Sequence, residues 1–596
     1  MKHIKNIIAN NIYMMKIVVS VAPFYVIGSM IVALLNSAID ILGDVLLTKY
    51  VIDSVQFQRS FSEVLRFIGI AALFFIVTSI ASSFFYTVYA PIAREKISQR
   101  MQQKLFQKAI ETDLQYYDDP EYYNSFLLSL SEADNRVFGV FNSFISILTS
   151  FLTIAGILGI IFVVDPLCVV FVTTAVLASL AVNLKRSKIT YEQDIESKPI
   201  ERRRSYIQRV FYLAEYAKEI HTSTVKKLLL KKYEEEGKNA RQVIKKYAGK
   251  NFFYSFTNGF LINTFLIDIL YFSVLIIRAS VQKTISYGSI AGMINAAWSL
   301  NNSFQMLKDV IPQLALHSKY VDKLKEFLEL PSSLTTTKKS VTLPSKIDRI
   351  EMIDCSFQYP HTDAKTLNHI NLSMKGQEKI AIVGQNGAGK TTLLKLLLRF
   401  YDPTEGTIKV NGVDLKQYSP EEYRKKIGTV FQDFKLFAAT VGENVLLDRV
   451  MPEKTSDIRF ALQASTFDES IYSLEHDIHT PISKEFSDAG INLSGGQEQM
   501  IAVARIFAKE HLFIILDEAS SALDPLTERK VNQKLLELAE NKTTIFISHH
   551  LTMTQDVDKI YVMSNGSFIE SGTHNELMLL DGEYANMFRK QAEKYK

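Results

Sequence analysis

A chain of 596 residues with a formal net charge of +4 and 47% hydrophobic residues is too long for one domain. Its two cysteines, Cys168 in an apolar stretch and Cys355 in the polar half, exclude a disulfide-framed secreted scaffold. Uncharged stretches crowd the first half, whereas the second half has the make-up of an ordinary soluble domain.

Lys2, Lys5 and Lys16 precede the first apolar run, as in a signal peptide. That run is too long for a signal h-region, and no small-residue cleavage pattern closes it. A bilayer core of about 30 Å takes about 20 apolar helical residues. Residues 17–39, 67–93, 137–164, 166–184 and 284–307 carry no charge, and 251–277 carries only Asp268. These stretches predict six membrane spans within a membrane domain over 1–330.

Loop charge orients the spans. The segment 94–136 holds six Lys/Arg and 185–250 holds eighteen, while the alternate connections hold only Lys49, Arg59 and Arg66, none at Asp165, and Arg278 with Lys283. The positive-inside rule therefore puts the N-terminus, both long loops and the second half of the chain in the cytoplasm of a multi-pass cell-membrane protein. Ile97, Met101, Leu105 and Ala109 recur at helical spacing, which extends the second span as helix beyond the lipid. The segment 198–250 is similarly charged and helix-prone. Tyr117-Asp118-Asp119-Pro120-Glu121 interrupts the first long loop with turn residues, consistent with a short helix at its tip.

Residues 331–348 read as a linker. In 349–596, short apolar strands at 378–383, 427–431, 512–516 and 543–547 alternate with helical stretches, the pattern of an α/β domain with a largely parallel sheet. Strand 378–383 runs into Gly384-Gln385-Asn386-Gly387-Ala388-Gly389-Lys390-Thr391-Thr392, a G-x-x-x-x-G-K-[ST] loop opening a helix. Its glycines let backbone N–H groups converge on phosphate oxygens, and the helix start favours negative charge. Lys390 would reach the β- and γ-phosphates of ATP, and Thr391 would ligate Mg²⁺. Downstream, strand 512–516 delivers Asp517 and Glu518 at its C-terminal end. Asp517 suits the hydrated Mg²⁺, and Glu518 suits a general base for the attacking water.

With these in place the chain resembles the ABC ATPases. Leu493-Ser494-Gly495-Gly496-Gln497 matches their signature sequence and lies between the P-loop and Asp517-Glu518. Gln432 resembles the Q-loop residue, a further contact to nucleotide and metal. Ser521-Ala522-Leu523-Asp524 resembles the D-loop. His549 resembles the switch histidine, which joins Glu518 in catalysis. Tyr359 resembles the aromatic that stacks on adenine. Asp488-Ala489-Gly490 resembles the exporter X-loop, with Asp where Glu is commoner. Glu498 and His550 also depart from the usual basic residues at their positions. The resemblance implies the half-exporter arrangement: an α-helical six-span membrane domain with long cytoplasmic helical extensions, then an α/β P-loop nucleotide-binding domain. It implies a homodimer whose P-loops face the partner's signatures across two ATP molecules. One chain with a complete set of motifs suits two competent sites, though it also suits the intact half of an unequal pair. The spans argue against a translation-factor or DNA-repair ATPase, so no nucleic-acid partner is expected.

Tyr117 to Asn124 and Phe431-Gln432-Asp433-Phe434 loosely resemble exporters of lantibiotic-type bacterial peptides. The expected cargo is an amphipathic peptide. A lipid or hydrophobic drug, or a membrane ATPase that signals without transport, are the alternatives. Too few residues precede the first span for a leader-trimming cysteine protease, so processing of the cargo is not expected. Aromatic residues with Asn258, Asn263, Asn295, Asn301, Asn302 and Gln305 in the last two spans suit either a cargo with a backbone to hydrogen-bond or simple helix–helix adhesion. Asp268 has the same two readings, and Asp40 and Asp44 are placed at the outer interface of the first span.

Overall fold

The computed structural model describes residues 2–331, 334, 341–360, 362–467, 474–518, 523–540, 542–547 and 551–593. The chain divides into two compact units, Met1–Ile110 with Pro120–Leu330, and Glu111–Asp119 with Pro331–Lys596.

The first unit is helical. Lys2–Val21 is followed by continuous helical runs over Pro23–Gln56, Phe61–Glu111, Pro120–Val164, Pro166–Tyr212 and Val225–Val281, and by Tyr287–Leu328. The uncharged stretch 17–39 is thus not one helix. Pro23 has no N–H to continue the helix of Lys2–Val21 and instead opens the next one, with Ala22 at φ −140° between them. Asp40 and Asp44 lie in the middle of the helical run Pro23–Gln56, which continues well past the uncharged stretch.

Among the described residues, five runs are long and apolar enough to cross a membrane: Pro23–Gln56, Phe61–Glu111, Glu132–Val164, Pro166–Tyr212 and Val225–Val281. The expected sixth segment falls in Tyr287–Leu328, which is not among them. Its amides dilute its apolar character. Met293, Ala296, Ala297 and Leu300 are buried against Ile157, Ile161, Val172, Val176, Ile267 and Leu275, so this helix meets protein where the others could meet lipid.

Turns of π type widen the runs at Ile41–Leu47, Phe85–Tyr89, Thr257–Tyr271 and Ile277–Val281. Such turns pull carbonyls off the α ladder, and the Asp44 carbonyl accepts from Asn295 Nδ2 at 2.7 Å. The first N–H groups of Tyr287–Leu328 also find partners on the first run: Tyr287 N–H donates to Gln56 Oε1 at 2.8 Å and Gly288 N–H to Asp53 Oδ1 at 3.0 Å. Asp165 caps Pro166–Tyr212, accepting from Leu167 N–H at 3.1 Å, and forms a buried ion pair with Arg278.

The second unit holds ten strands among its described residues: β1 Arg349–Phe357, β2 Leu367–Lys375, β3 Lys379–Gly384, β4 Glu405–Val410, β5 Val413–Asp414, β6 Ile427–Val430, β7 Phe513–Asp517, β8 Thr543–Ile547, β9 Lys559–Ser564 and β10 Ser567–Gly572. One sheet has the order β10-β9-β3-β8-β7-β6, with parallel pairing from β9 to β6, and the other is antiparallel, β2-β1-β4-β5. β3, β7 and β8 are buried nearly throughout, as strands covered on both faces must be. The antiparallel strands were not anticipated. Their signal was present: Asn411-Gly412 and Asn565-Gly566 are two-residue turns with positive φ at both positions, joining β4 to β5 and β9 to β10.

The end of the expected linker is not free chain. Val341 N–H donates to the Gln417 carbonyl at 2.9 Å, and Ile347 is buried in the core between the sheets. Residues 332–333 and 335–340 of that linker lie outside the described residues. Within this second unit the short helix Leu114–Tyr117 and Asp118 dock by their side chains. Tyr116 Oη donates to the Pro331 carbonyl at 3.0 Å, and Asp118 takes the Tyr401 hydroxyl and the Lys395 ammonium, the latter at 3.2 Å.

Candidate active site

The site is built at the C-terminal ends of the parallel strands β3 and β7, which flank β8. After β3 the chain turns through Gly384 to Gly389 into the helix Lys390–Leu397. Gly387 and Gly389 sit at φ +81° and +108°. At Gly389 a Cβ would also lie 2.8 Å from Leu367 Cδ2, so glycine is required there twice over. Gln385, Asn386 and Gly387 are exposed on the loop, Ala388 is buried beneath it, and Thr391 is exposed at the helix start. Gln385 Nε2 donates to Glu583 Oε1 at 3.2 Å, which ties the loop to the helix Glu583–Glu593.

Lys390 is buried, and its Nζ donates to the carbonyls of Gly384 and Gln385 at 2.7 and 3.0 Å. Burial lowers its pKa, while the carboxylates of Glu518 and Asp517 oppose that shift. Asp517, the last residue of β7, is pushed up to about 6, first by burial and then by Glu518 and Asp433, against the pull of Lys390. A carboxyl group that burial and neighbouring carboxylates keep from ionising, as at Asp517, is a donor whose ionised form a divalent cation would stabilise. Thr391 offers a hydroxyl at the same helix start, and Mg²⁺ needs only one or two protein carboxylates when phosphates and water complete its shell.

Glu518 follows β7 with φ +48°, a left-handed conformation costly for a residue with a Cβ. Gln432 Nε2, from the segment after β6, donates to Glu518 Oε2 at 2.7 Å. The fold therefore brings the P-loop, Asp517, Glu518 and Gln432 to one edge of the sheet, although 128 residues separate Lys390 from Glu518 in the chain.

Tyr359 stands edge-on to Phe357 and Tyr401, with ring centres 4.9 and 5.4 Å away, and its hydroxyl lies 3.1 Å from that of Thr392. Tyr401, which no sequence signal singled out, joins this aromatic group to Asp118. Burial, then that carboxylate, raises its pKa.

Ser494 and Gly495 are exposed at the start of the helix Gly495–Phe507, followed by Gly496 and Gln497. Ser494 Oγ accepts from Gln497 N–H at 3.3 Å and Gln497 Oε1 accepts from Ser494 N–H at 3.0 Å, a reciprocal cap that spends both side chains locally. Asp524 is likewise a cap, accepting from Leu526 and Thr527 N–H, each at 3.1 Å, to start Pro525–Ala539. His549, Ser521 and Ala522 lie outside the described residues.

In the first unit, Asp268 lies in the π-type stretch Thr257–Tyr271. Asn258 Oδ1 accepts from Ser179 Oγ at 2.7 Å and from Asn183 Nδ2 at 3.4 Å, all buried. With Asn295 Nδ2 donating to the Asp44 carbonyl, two of the amides that suit either cargo contact or helix–helix adhesion bond to neighbouring helices. Asn301 and Gln305 line a small hollow with Ser179, Asn183 and Lys308.

Residues 26–298 match the family described as ABC transporter transmembrane region, and 367–521 match ABC transporter. The chain is 34% identical over 302 residues to the putative multidrug export ATP-binding/permease protein YgaD of Bacillus subtilis, covering 50% of each chain. It is 35% identical over 304 residues to the ATP-dependent lipid A-core flippase of Methylobacillus flagellatus, covering 51% of this chain and 49% of that one. It thus spans about half the length of these two relatives. To the subtilin transport ATP-binding protein SpaT of Bacillus subtilis it is 29% identical over 488 residues, covering 81% of this chain and 78% of that one. Its fold is that of a bacterial Atm1-family ABC exporter solved with ATP bound, with a TM-score of 0.74 at 21% identity over 96% of this chain and 99% of the other.

Proposed function

We propose that this chain, which belongs to the ABC transporter superfamily, is one half of an ATP-driven exporter that moves a peptide out of the cytoplasm. The observation that carries this reading is the convergence of Lys390, Asp517, Glu518 and Gln432 at one sheet edge, in a chain whose other unit has five helices able to cross a membrane.

The P-loop amides and Lys390 hold the phosphates of ATP, with Thr391, Asp517 and Gln432 around the Mg²⁺ that accompanies it, and Tyr359 stacks on adenine. Glu518 takes a proton from water as the water oxygen bonds to the γ-phosphorus and the bond to the bridging β–γ oxygen breaks, releasing ADP and phosphate. His549 assists at the γ-phosphate. Ser494, Gly495 and Gly496 of one copy close over the nucleotide held by its partner, with Gln497 and Asp524 holding the surrounding backbone in shape. The exposure of Ser494 and Gly495 supports a partner surface there. ATP adds contacts only in the closed pair and so favours closure by its differential affinity. The docked segment Glu111–Asp119, linked through Tyr401 to Tyr359, supports a route by which closure reaches the membrane helices. Helix Tyr287–Leu328 supplies the sixth span, with the N-terminus and the second unit in the cytoplasm and lipid around the outer helices.

The relative named for subtilin transport matches over most of both chains, which favours a peptide cargo. The relatives named for lipid A-core and multidrug export match over half, which keeps a lipid or hydrophobic drug as the second reading. The test is the purified chain in lipid vesicles. ATPase stimulation and accumulation inside inverted vesicles are measured for a leader-bearing peptide, a labelled lipid and a dye. Accumulation of lipid or dye with no response to peptide overturns the peptide reading, and ATPase activity that moves no cargo overturns the exporter.

A further inference from the structure

Glu518 is held by more than the proposed machinery around its carboxylate. Its left-handed backbone, at φ +48°, is pinned from both sides: its N–H donates to the Ile547 carbonyl at 2.9 Å, and its carbonyl accepts from Gln499 Nε2 at 3.1 Å. Gln499 is 1% exposed and lies in the second turn of Gly495–Phe507, the helix that begins at the signature. That helix bridges two cores. Ala502, Val503 and Ile506 pack with Val430, Ile514 and Leu516, while Ile501 and Ala504 pack with Val441, Val445 and Ile458. Apolar packing fixes the helix against the sheet but carries no directional information. The Gln499 amide does, because it meets one carbonyl at hydrogen-bond distance.

We infer that Gln499 is a positioning residue for hydrolysis, which holds the Glu518 backbone in its left-handed turn and ties the signature helix to the carboxylate that activates water. It acts through Glu518, so that a shift of the helix when its N-terminus meets the partner's ATP moves the base serving the chain's own ATP. Loss of the amide's hydrogen bond to the part-buried Glu518 carbonyl weakens the hold on the strained turn, which can then relax.

This inference rests on the reading of Glu518 as the base. The test uses the full-length chain in lipid vesicles, with Gln499→Met, which keeps length and volume but donates nothing, and Gln499→Asn, which keeps the amide but not the reach. Both are expected to lower kcat by about tenfold, the worth of one buried hydrogen bond in a barrier, while KM for ATP and bound nucleotide per chain stay unchanged. A merely structural role would lower nucleotide binding and thermal stability with kcat per bound nucleotide preserved, and that result overturns the inference. If Glu518→Gln abolishes turnover and both Gln499 variants keep wild-type kcat, the inference fails alone. If Glu518→Gln keeps turnover, the premise fails with it.

Discussion

At the residue scale, two side chains of opposite charge, the buried Lys390 and the half-buried Glu518, meet at the C-terminal end of the sheet and answer differently to substitution. Glu518→Gln keeps the shape of the site and its bond to Gln432, so nucleotide binding should persist while turnover falls by at least about a hundredfold, the usual worth of a general base. Lys390→Ala removes the cation facing the phosphates and should weaken ATP binding itself, measured with a fluorescent nucleotide. Asp517 adds a pH signature. Its pKa is raised from 3.8 to about 6. The folded state therefore binds the proton more tightly than the unfolded chain. This group's stabilising contribution is present below about pH 4 and lost as pH rises through 6. For activity the sign reverses, because Mg²⁺ needs the ionised form. The Mg²⁺ concentration for half-maximal ATPase should climb steeply below pH 6, and a flat profile from pH 7 to 5 would remove Asp517 from the metal.

At the element scale, the helical bundle relies on polar contacts between helices where apolar packing against lipid gives no net gain. Asp165 and Arg278 form one such pair, with side chains 2% and 22% exposed. Asp165→Ala leaves a guanidinium uncompensated and a helix start uncapped, and should cost about 3 kcal/mol, seen as a lower melting temperature in detergent. Asp165→Ala combined with Arg278→Leu should recover much of it. Gly288 marks another close approach: a Cβ there would stand 2.3 Å from the Lys49 carbonyl and 2.4 Å from Asp53 Oδ1. Gly288→Val should therefore destabilise the first unit, whereas the same change at Gly159, with open space around it, should be tolerated. Equal melting temperatures for the two variants would refute this account of the packing.

At the scale of the whole molecule, the question is assembly. The P-loop of one chain and the exposed start of Gly495–Phe507 are both present, which suits a pair of identical copies. Mixing wild-type chains with Glu518→Gln chains before reconstitution tests it. In a homodimer with coupled sites, ATPase activity should fall faster than the wild-type fraction. A linear fall means that each chain works alone. Native mass measurement should give twice the chain mass, and a monomer that hydrolyses ATP only with a second gene product would point to an unequal pair.

By itself the sequence determined the parts that are local. Five apolar runs, the P-loop between a strand and a helix, and the carboxylates ending a buried strand are each written in contiguous residues, because span length, strand burial and loop geometry are short-range properties. The N-G turns that close β4–β5 and β9–β10 were as local, yet the strands beside them alternate polar and apolar residues too weakly to stand out. Only the tertiary structure decided what long separations hide. Pro23 divides an apolar stretch that composition reads as continuous. Asn258 and Asn295 bond to neighbouring helices, because an amide taken from water must find a partner wherever packing places one. Tyr401 joins Asp118, and Gln499 reaches the Glu518 carbonyl across 19 residues of chain. Those contacts depend on how sheets and helices stack, and no spacing along the chain encodes them.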